Sequence, residues 1–324
     1  MNNALGMQQI ADWVQAPLVG VDSPVLGVSI DSRTMQPGEL YVALRGERFD
    51  GHEFIPQVSE LGAVGLMVEE IPNTSLPFIR VDNSRLALGD LAHGYRSRFD
   101  LPTVAITGSN GKTTVKEMVR QILSATANVC ATEGNLNNEI GVPLTLLRLV
   151  EENEYLVVEM GANAPGEIGY LTDLVAPSIA LVTCASEAHL AGFGSLHGVA
   201  AAKGEIYSRL GPTGTALINL DDPFFEYWQG LLDSQQQFSF GLDQAADFHA
   251  REIKLANNQF ILVTPTGEIE VVLPVLGKHN IINAVAAAGV CSLLGIDLSQ
   301  IASQLALFEA APGRLTQVQG VHGA

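Results

Sequence analysis

The densest chemistry in the sequence lies in Thr107-Gly108-Ser109-Asn110-Gly111-Lys112-Thr113-Thr114. Two glycines allow a tight turn whose backbone N–H groups face inward as an anion nest. Lys112 supplies a mobile cation, and the Thr113 hydroxyl is an oxygen ligand for Mg²⁺, so the run suits the phosphates of ATP. Only Ser109 and Asn110 separate Gly108 from Gly111, whereas the common phosphate loop has four residues between its glycines. This is therefore a shorter variant. The plainer alternative is an ordinary Gly-Lys turn.

Two further side chains extend the site. Glu159 ends the apolar run Tyr155-Leu-Val-Val-Glu159. A carboxylate at the C-terminal end of a parallel strand faces the crevice where α/β folds bind ligands, and it can hold Mg²⁺ beside Thr113. Lys203 interrupts an apolar stripe, Leu196, Val199, Ile206 and Leu210, at helical spacing. Burial lowers the pKa of a lysine, and the neutral amine can take up CO₂ as a carbamate that binds metal. The alternative for Lys203 is a chain that snorkels to solvent.

These residues need a scaffold, and the surrounding sequence supplies one. Thr103–Thr107 reads as a strand entering the glycine turn, and Lys112 to about Ser124 as the helix leaving it. Further strands are expected at Asn128–Ala131, Tyr155–Glu159, Ile179–Thr183 and Thr215–Leu220, with helical stretches between them. Near-continuous Val/Ile/Leu runs alternating with helices imply a mostly parallel sheet covered on both faces. Residues 247–273 read as a hairpin around Thr266-Gly267, followed by Ala-rich helices over 280–294 and 298–308. Residues before about 100 read as a separate small α/β unit. In it, helices are expected at Met7–Val14 and His52–Leu61, and strands at Val25–Ile30, Glu39–Leu44 and Ala63–Val68. Asn83 is the expected N-cap of an Arg85–Arg98 helix with Leu86, Leu88, Leu91 and Ala92 on its buried side. Phe99-Asp-Leu-Pro102 is the linker.

The chain has 324 residues with a net charge of −18, and 47% of them are hydrophobic. That is too apolar for a disordered chain, and long enough for two domains or two and a fragment. So acidic a protein lacks the cationic surface that grips nucleic acid independently of sequence. Cys130, Cys184 and Cys291 are scattered, as in a reducing compartment. The N-terminus has no signal-peptide pattern, and Ile281–Ile296 is shorter than the ~20 residues of a membrane span. The expectation is a cytoplasmic protein without membrane insertion.

The wording of the glycine loop resembles the ATP loop of the Mur ligase family. Further segments carry the same resemblance: Thr132-Glu-Gly-Asn-Leu-Asn-Asn-Glu-Ile-Gly-Val-Pro-Leu-Thr145, Val158-Glu-Met-Gly-Ala162, Ala188-His-Leu-Ala-Gly-Phe-Gly-Ser195, Lys203-Gly-Glu-Ile-Tyr207, Gly277-Lys-His-Asn-Ile-Ile-Asn283 and Pro312-Gly-Arg314. Asp31-Ser-Arg33, Pro37 through Gly46 and Asp50-Gly-His52 extend it to the first unit. The segments are closest to those of members that add D-Ala-D-Ala to UDP-MurNAc-tripeptide. The resemblance implies an ATP-dependent peptide ligase of peptidoglycan precursor synthesis, acting as a monomer through an acyl phosphate. It implies a UDP-substrate domain over 1–100, a central ATPase over 101–311, and a stub of a C-terminal Rossmann-like domain over 312–324. On that division the chain alone is expected to be inactive.

The resemblance also distributes roles. It implies catalytic and metal roles for Lys112, Glu159, His189 and Lys203 as a carbamate, with Thr113 on the first Mg²⁺. Asn280 and Asn283, one turn apart, are placed at adenine, although Asn280 could also cap its helix. Arg314 is placed at the ATP phosphates. Ser32, Arg33, Arg45, Gly46 and His52 are candidates for the uridine diphosphate. Asn135, Asn137 and Asn138 suit a sugar or peptide, or plain turn chemistry. Asp221-Asp222-Pro223 reads as a turn, and His197, His249 and His322 as surface residues. Other classes remain open: a non-catalytic UDP-substrate and ATP-binding fragment, a neighbouring Mur ligase adding the third amino acid, or an amide ligase related to folylpolyglutamate synthase.

Overall fold

The computed structural model describes residues 5–46, 49–187, 190–243 and 245–309. His189, Arg314, His322 and the 312–324 stub fall outside the described residues. The chain divides into two compact units, one formed by 1–100 with 134–152 and the other by 101–133 with 153–324.

In the first unit, strands Gly27–Ser29, Glu39–Val42, Gly65–Val68 and Phe78–Arg80 lie side by side and parallel, and Leu18–Val19 pairs antiparallel with the last of them. Met35, Tyr41, Ile55, Val58, Leu66 and Val68 are buried together against this sheet. Asn83 caps the Ser84–Arg96 helix by accepting from the backbone N–H groups of Arg85 and Leu86. Leu88, Leu91, Ala92 and Tyr95 are its buried face at i, i+3, i+4 and i+7 spacing. Leu86, expected on that face, is 54% exposed. Two residues before Leu88 is about 200° around the helix, so it points the other way. Segment 134–152 joins this unit through the Gly141–Leu146 helix, which packs on Ser84–Arg96. Tyr95 Oη donates to the Leu149 carbonyl at 2.8 Å, and Arg85 pairs with Glu139 at 3.0 Å.

The second unit is built on a nine-stranded sheet. Its parallel part runs in the order Val129–Ala131, Tyr155–Glu159, Thr103–Thr107, Ile179–Val182, Thr215–Asn219, Gln236–Gly241 and Phe248–Lys254. Val104, Ile106, Val157, Ile179, Leu181 and Leu217 share one core with the Lys112–Ser124 and Lys278–Leu293 helices. The alternate residues Ala105, Val158, Ala180, Val182 and Ile218 are equally buried. With period two they belong to the opposite face, where the Glu167–Val175 and Leu196–Ser208 helices pack. Both faces are covered, which is why these strands read as unbroken apolar runs.

In the first unit the strands Leu18–Val19 and Phe78–Arg80 lie outside the sequence expectation, and in the second unit two elements differ from it. Residues 247–273 form three antiparallel strands, Phe248–Lys254, Gln259–Thr264 and Gly267–Val272, rather than one hairpin. The extra turn lies over Leu255–Asn258, where Asn258 takes a positive φ. Gln236–Gly241 is a strand that the pattern did not announce, because its first residues are polar and exposed. No helix among the described residues is long and apolar enough to cross a membrane.

Candidate nucleotide site

Thr103–Thr107 lies between Tyr155–Glu159 and Ile179–Val182. The chain leaving it turns first to one flank of the sheet and later crosses to the other, which makes its carboxyl end a topological switch point. The glycine loop sits there. Gly108 has φ +141°, and a Cβ on it would stand 1.9 Å from Thr183 Oγ1. Gly111 has φ +83°, caps the Lys112–Ser124 helix, and would drive a Cβ to 2.5 Å from Asn283 Oδ1. Gly108 is required by close approach as well as by backbone angle, whereas Gly111 is required by its backbone angle, since the Asn283 side-chain tip can swing aside.

The loop is fastened on one side to the segment after Ile179–Val182. Ser109 N donates to Cys184 O at 2.8 Å, Asn110 Nδ2 donates to Ser186 Oγ at 2.8 Å, and Ser186 N donates to Ser109 Oγ at 3.0 Å. Asn219 Nδ2 holds the Thr183 carbonyl from behind at 2.7 Å. Lys112 Nζ folds over its own loop and donates to Gly108 O at 2.7 Å.

Glu159 lies opposite Ile106 on the neighbouring strand and is 2% exposed. Its backbone N–H donates to Thr132 Oγ1 at 3.0 Å. The next residue is tied to the loop strand twice, Met160 N to Ile106 O and Thr107 Oγ1 to Met160 O, both at 2.8 Å. Lys203 is 3% exposed on the Leu196–Ser208 helix, with Nζ 5.5 Å from the centre of the Phe193 ring. Burial, followed by the charge of Lys112, pushes the Lys203 ammonium down to about 8, against the opposing pull of Glu167 and Glu205. The structure thus draws Lys112 and Lys203 within electrostatic range of each other.

A cavity of about 720 Å³ opens beside the loop, lined by Asn110, Gly111, Thr113, Thr183, Asn280 and Asn283 among others. That volume suits a nucleotide-sized ligand. Gly108, Ser109, Lys112, Glu159 and Lys203 do not line it. Asn280 is not the helix cap: the helix begins at Lys278 after Gly277, and Asn280 Nδ2 donates back to Leu276 O at 2.8 Å. Thr183, Asn219, His279 and Glu117 also line the cavity and were not singled out from sequence. The switch-point rule applied to the Ile179–Thr183 strand would have found Thr183.

The other expected site residues lie in the first unit. Ser32 and Arg33 follow the Gly27–Ser29 strand, and Arg45 and Gly46 follow Glu39–Val42, so they gather at the carboxyl ends of parallel strands. Arg33 pairs with Asp31 and holds that carboxyl down at about 2. Arg45 reaches Glu70 at 2.5 Å, Asp50 at 2.9 Å and Glu69 at 3.3 Å. His52 Nε2 accepts from Glu69 N at 3.0 Å, which leaves the proton on Nδ1 to donate to Asp50. Asn138 Oδ1 accepts from Gly141 N at 2.9 Å, and Asn137 N donates to Asn135 O at 2.8 Å, so turn chemistry occupies part of this run. Asp221 and Asp222 likewise hold backbone: Asp222 Oδ2 accepts from Ala185 N at 2.8 Å and Asp221 Oδ2 from Leu242 N at 2.7 Å. His197 is exposed beside Phe224 and Tyr227, whereas His249 is half-buried on the Ala246 carbonyl.

Comparison with known proteins agrees with this geometry. The profile of the Mur ligase middle domain matches residues 106–291, and that of the Mur ligase family catalytic domain matches residues 24–96. The chain is 45% identical over 316 residues to the UDP-N-acetylmuramoyl-tripeptide–D-alanyl-D-alanine ligase of Escherichia coli, covering 97% of this chain and 70% of that one. It is 33% identical over 319 residues to the ligase of the same name from Bacillus subtilis, covering 97% and 69%. Crystal structure I of MurF from Acinetobacter baumannii superposes with a TM-score of 0.94 at 38% identity, covering 98% of this chain and 71% of that one. MurF from Thermotoga maritima in complex with ADP superposes with a TM-score of 0.78 at 28% identity, covering 90% and 67%.

Proposed function

The chain belongs to the Mur ligase family, and from that premise we propose that it works in ATP-dependent addition of D-Ala-D-Ala to UDP-MurNAc-tripeptide. The observation that carries the proposal is the short glycine loop at the switch point, with the buried Glu159 level with it on the next strand. ATP is the nucleotide, with its phosphates on Gly108–Thr114 and its base toward Asn280 and Asn283. The unit formed by 1–100 with 134–152 serves the UDP-substrate, and the unit built on 101–133 and the residues from 153 onward serves the nucleotide.

Magnesium fits the oxygen donors present. Among the described residues no cluster of three or more His, Cys, Asp or Glu side chains is built to hold a metal. Mg²⁺ does not need one, since it takes one or two carboxylates and completes its shell with phosphate and water. The Glu159 carboxylate and the Thr113 hydroxyl are the protein ligands of this reading. The cation, when bound, offsets charge on the triphosphate.

The protein's own work is positioning and electrostatics. The loop N–H groups and the N-terminus of the Lys112–Ser124 helix orient the phosphates. Lys112 exchanges its bond to the Gly108 carbonyl for a phosphate oxygen. The peptide carboxylate attacks the γ-phosphorus, ADP leaves, and the amine of D-Ala-D-Ala displaces phosphate from the acyl phosphate. Lys203 is the candidate for carbamate formation: the neutral amine adds CO₂ and releases one proton. The depressed ammonium pKa supplies the amine, and the nearby Lys112 charge favours the anion that results. His189 and Arg314 keep the roles implied by the resemblance.

The test is a titration with Mg-ATP followed by product analysis. Saturable binding that Lys112→Ala weakens, and a product requiring D-Ala-D-Ala rather than meso-diaminopimelate, support the assignment. Folded protein that binds no nucleotide overturns it.

A further inference from the structure

One turn past Lys112, on the same helix, a second lysine has a different partner. Lys116 is completely buried. Its Nζ donates to the Thr132 carbonyl at 2.8 Å and pairs with Glu117 Oε1 at 2.6 Å. Glu117 Oε2 is in turn held by Arg120 Nε at 2.7 Å, and Glu117 lines the nucleotide cavity. Burying an ammonium is costly. A buried ion pair contributes little net stability compared with apolar side chains of the same shape. Stability alone therefore gives no reason for a lysine here.

What the ammonium grips suggests one. Thr132 is the first residue beyond the Val129–Ala131 strand and is 2% exposed. Its N–H donates to Val157 O at 3.1 Å, and its hydroxyl accepts from Glu159 N at 3.0 Å. Thr132 thus extends the ladder past the strand end, with its side chain taking the place of the missing backbone acceptor. Its three polar groups are engaged by Lys116, Val157 and Glu159. Taking Glu159 as the magnesium acid, as proposed above, we infer that Lys116 is a positioning residue for the metal. It fixes the Thr132 carbonyl, Thr132 fixes the Glu159 backbone, and the carboxylate is thereby aimed. The chain Glu117–Lys116–Thr132–Glu159 joins the cavity wall to the metal ligand.

The experiment compares AMP-PNP affinity with Mg²⁺ and with EDTA, using wild type, Glu159→Gln, Lys116→Met, Thr132→Val and Thr132→Ser. Loss of a residue that orients a metal ligand costs roughly 10–100-fold in metal affinity. Lys116→Met and Thr132→Val are expected to lose about tenfold or more of the Mg²⁺ enhancement. Their affinity in EDTA is expected to stay within about twofold of wild type, a separation that general loosening does not produce. Thr132→Ser keeps the hydroxyl and restores the enhancement. The inference is overturned if folded Thr132→Val and Lys116→Met keep the wild-type enhancement, or if affinity in EDTA falls in parallel. Should Lys116→Met not fold, the Thr132 pair decides between the same outcomes. If Glu159→Gln itself keeps the enhancement, the magnesium role of Glu159 fails and this inference falls with it.

Discussion

The Thr183 hydroxyl donates to the Asn110 carbonyl at 2.5 Å, from the same place where a Cβ on Gly108 would have to sit. The glycine loop is therefore shaped by a side chain from a different strand as much as by its own sequence. Gly108→Ala meets both this clash and an unfavourable φ. It is expected to cost about 1–3 kcal/mol of stability and to weaken nucleotide binding. Denaturant midpoints and AMP-PNP titration check this, and wild-type values in both contradict it.

Lys112→Ala removes the cation that rests on Gly108 O. Hydrogen bonds to charged groups contribute about 1.5–3 kcal/mol, so nucleotide affinity is expected to fall roughly 10–100-fold. A calorimetric titration reads the change. An affinity within twofold of wild type removes Lys112 from the phosphate site.

Lys203 ties stability to pH. Its folded pKa is lowered from 10.5 to about 8, so across that interval the unfolded chain holds more protons than the folded one. Unfolding free energy therefore rises with pH through that interval, and below it the wild type carries the full cost of the buried charge. Lys203→Met has no such proton. In CO₂-free buffer its Tm advantage over wild type is expected to shrink as pH rises from about 8 toward 10. A Tm difference that does not vary with pH contradicts this.

Arg45 sits among Asp50, Glu69 and Glu70 at the carboxyl ends of the first unit's strands. Half-exposed ion pairs contribute little to folding. Arg45→Ala is therefore expected to leave the unfolding midpoint near wild type while weakening binding of the UDP-substrate by about tenfold or more. A large shift in midpoint without a change in binding would make Arg45 structural.

Asn83→Ala removes an acceptor used by both Arg85 N and Leu86 N, each at 3.0 Å. The expected loss is about 1 kcal/mol of stability. Urea unfolding followed by circular dichroism measures it, and Asn83→Asp retains most of the stability.

The parts of the fold legible in the sequence are those where local and tertiary signals agree. Thr103–Thr107, Lys112–Ser124 and Tyr155–Glu159 appear with the expected bounds, because buried parallel strands and an amphipathic helix each leave a strong pattern. Gln236–Gly241 left none, since its strand character comes from pairing with Thr215–Asn219 rather than from its own residues. The burial of Lys203 could be read from its apolar neighbours at helical spacing. That of Lys116 could not, because its partner carbonyl at Thr132 is sixteen residues away. Thr183 and Asn219 escaped for the same reason: they act on the loop from strands brought beside it only by the fold.

The 134–152 excursion has a practical consequence for dissection. Val142, Leu146 and Leu149 are fully buried within the first unit, yet they are encoded between two strands of the second. Cleaving the chain at 100/101 would strip residues 1–100 of that apolar partner and leave 101–324 carrying a greasy orphan. The two units are interleaved in the gene, and a fragment study that respects them must transplant or replace this insert rather than choose a single cut.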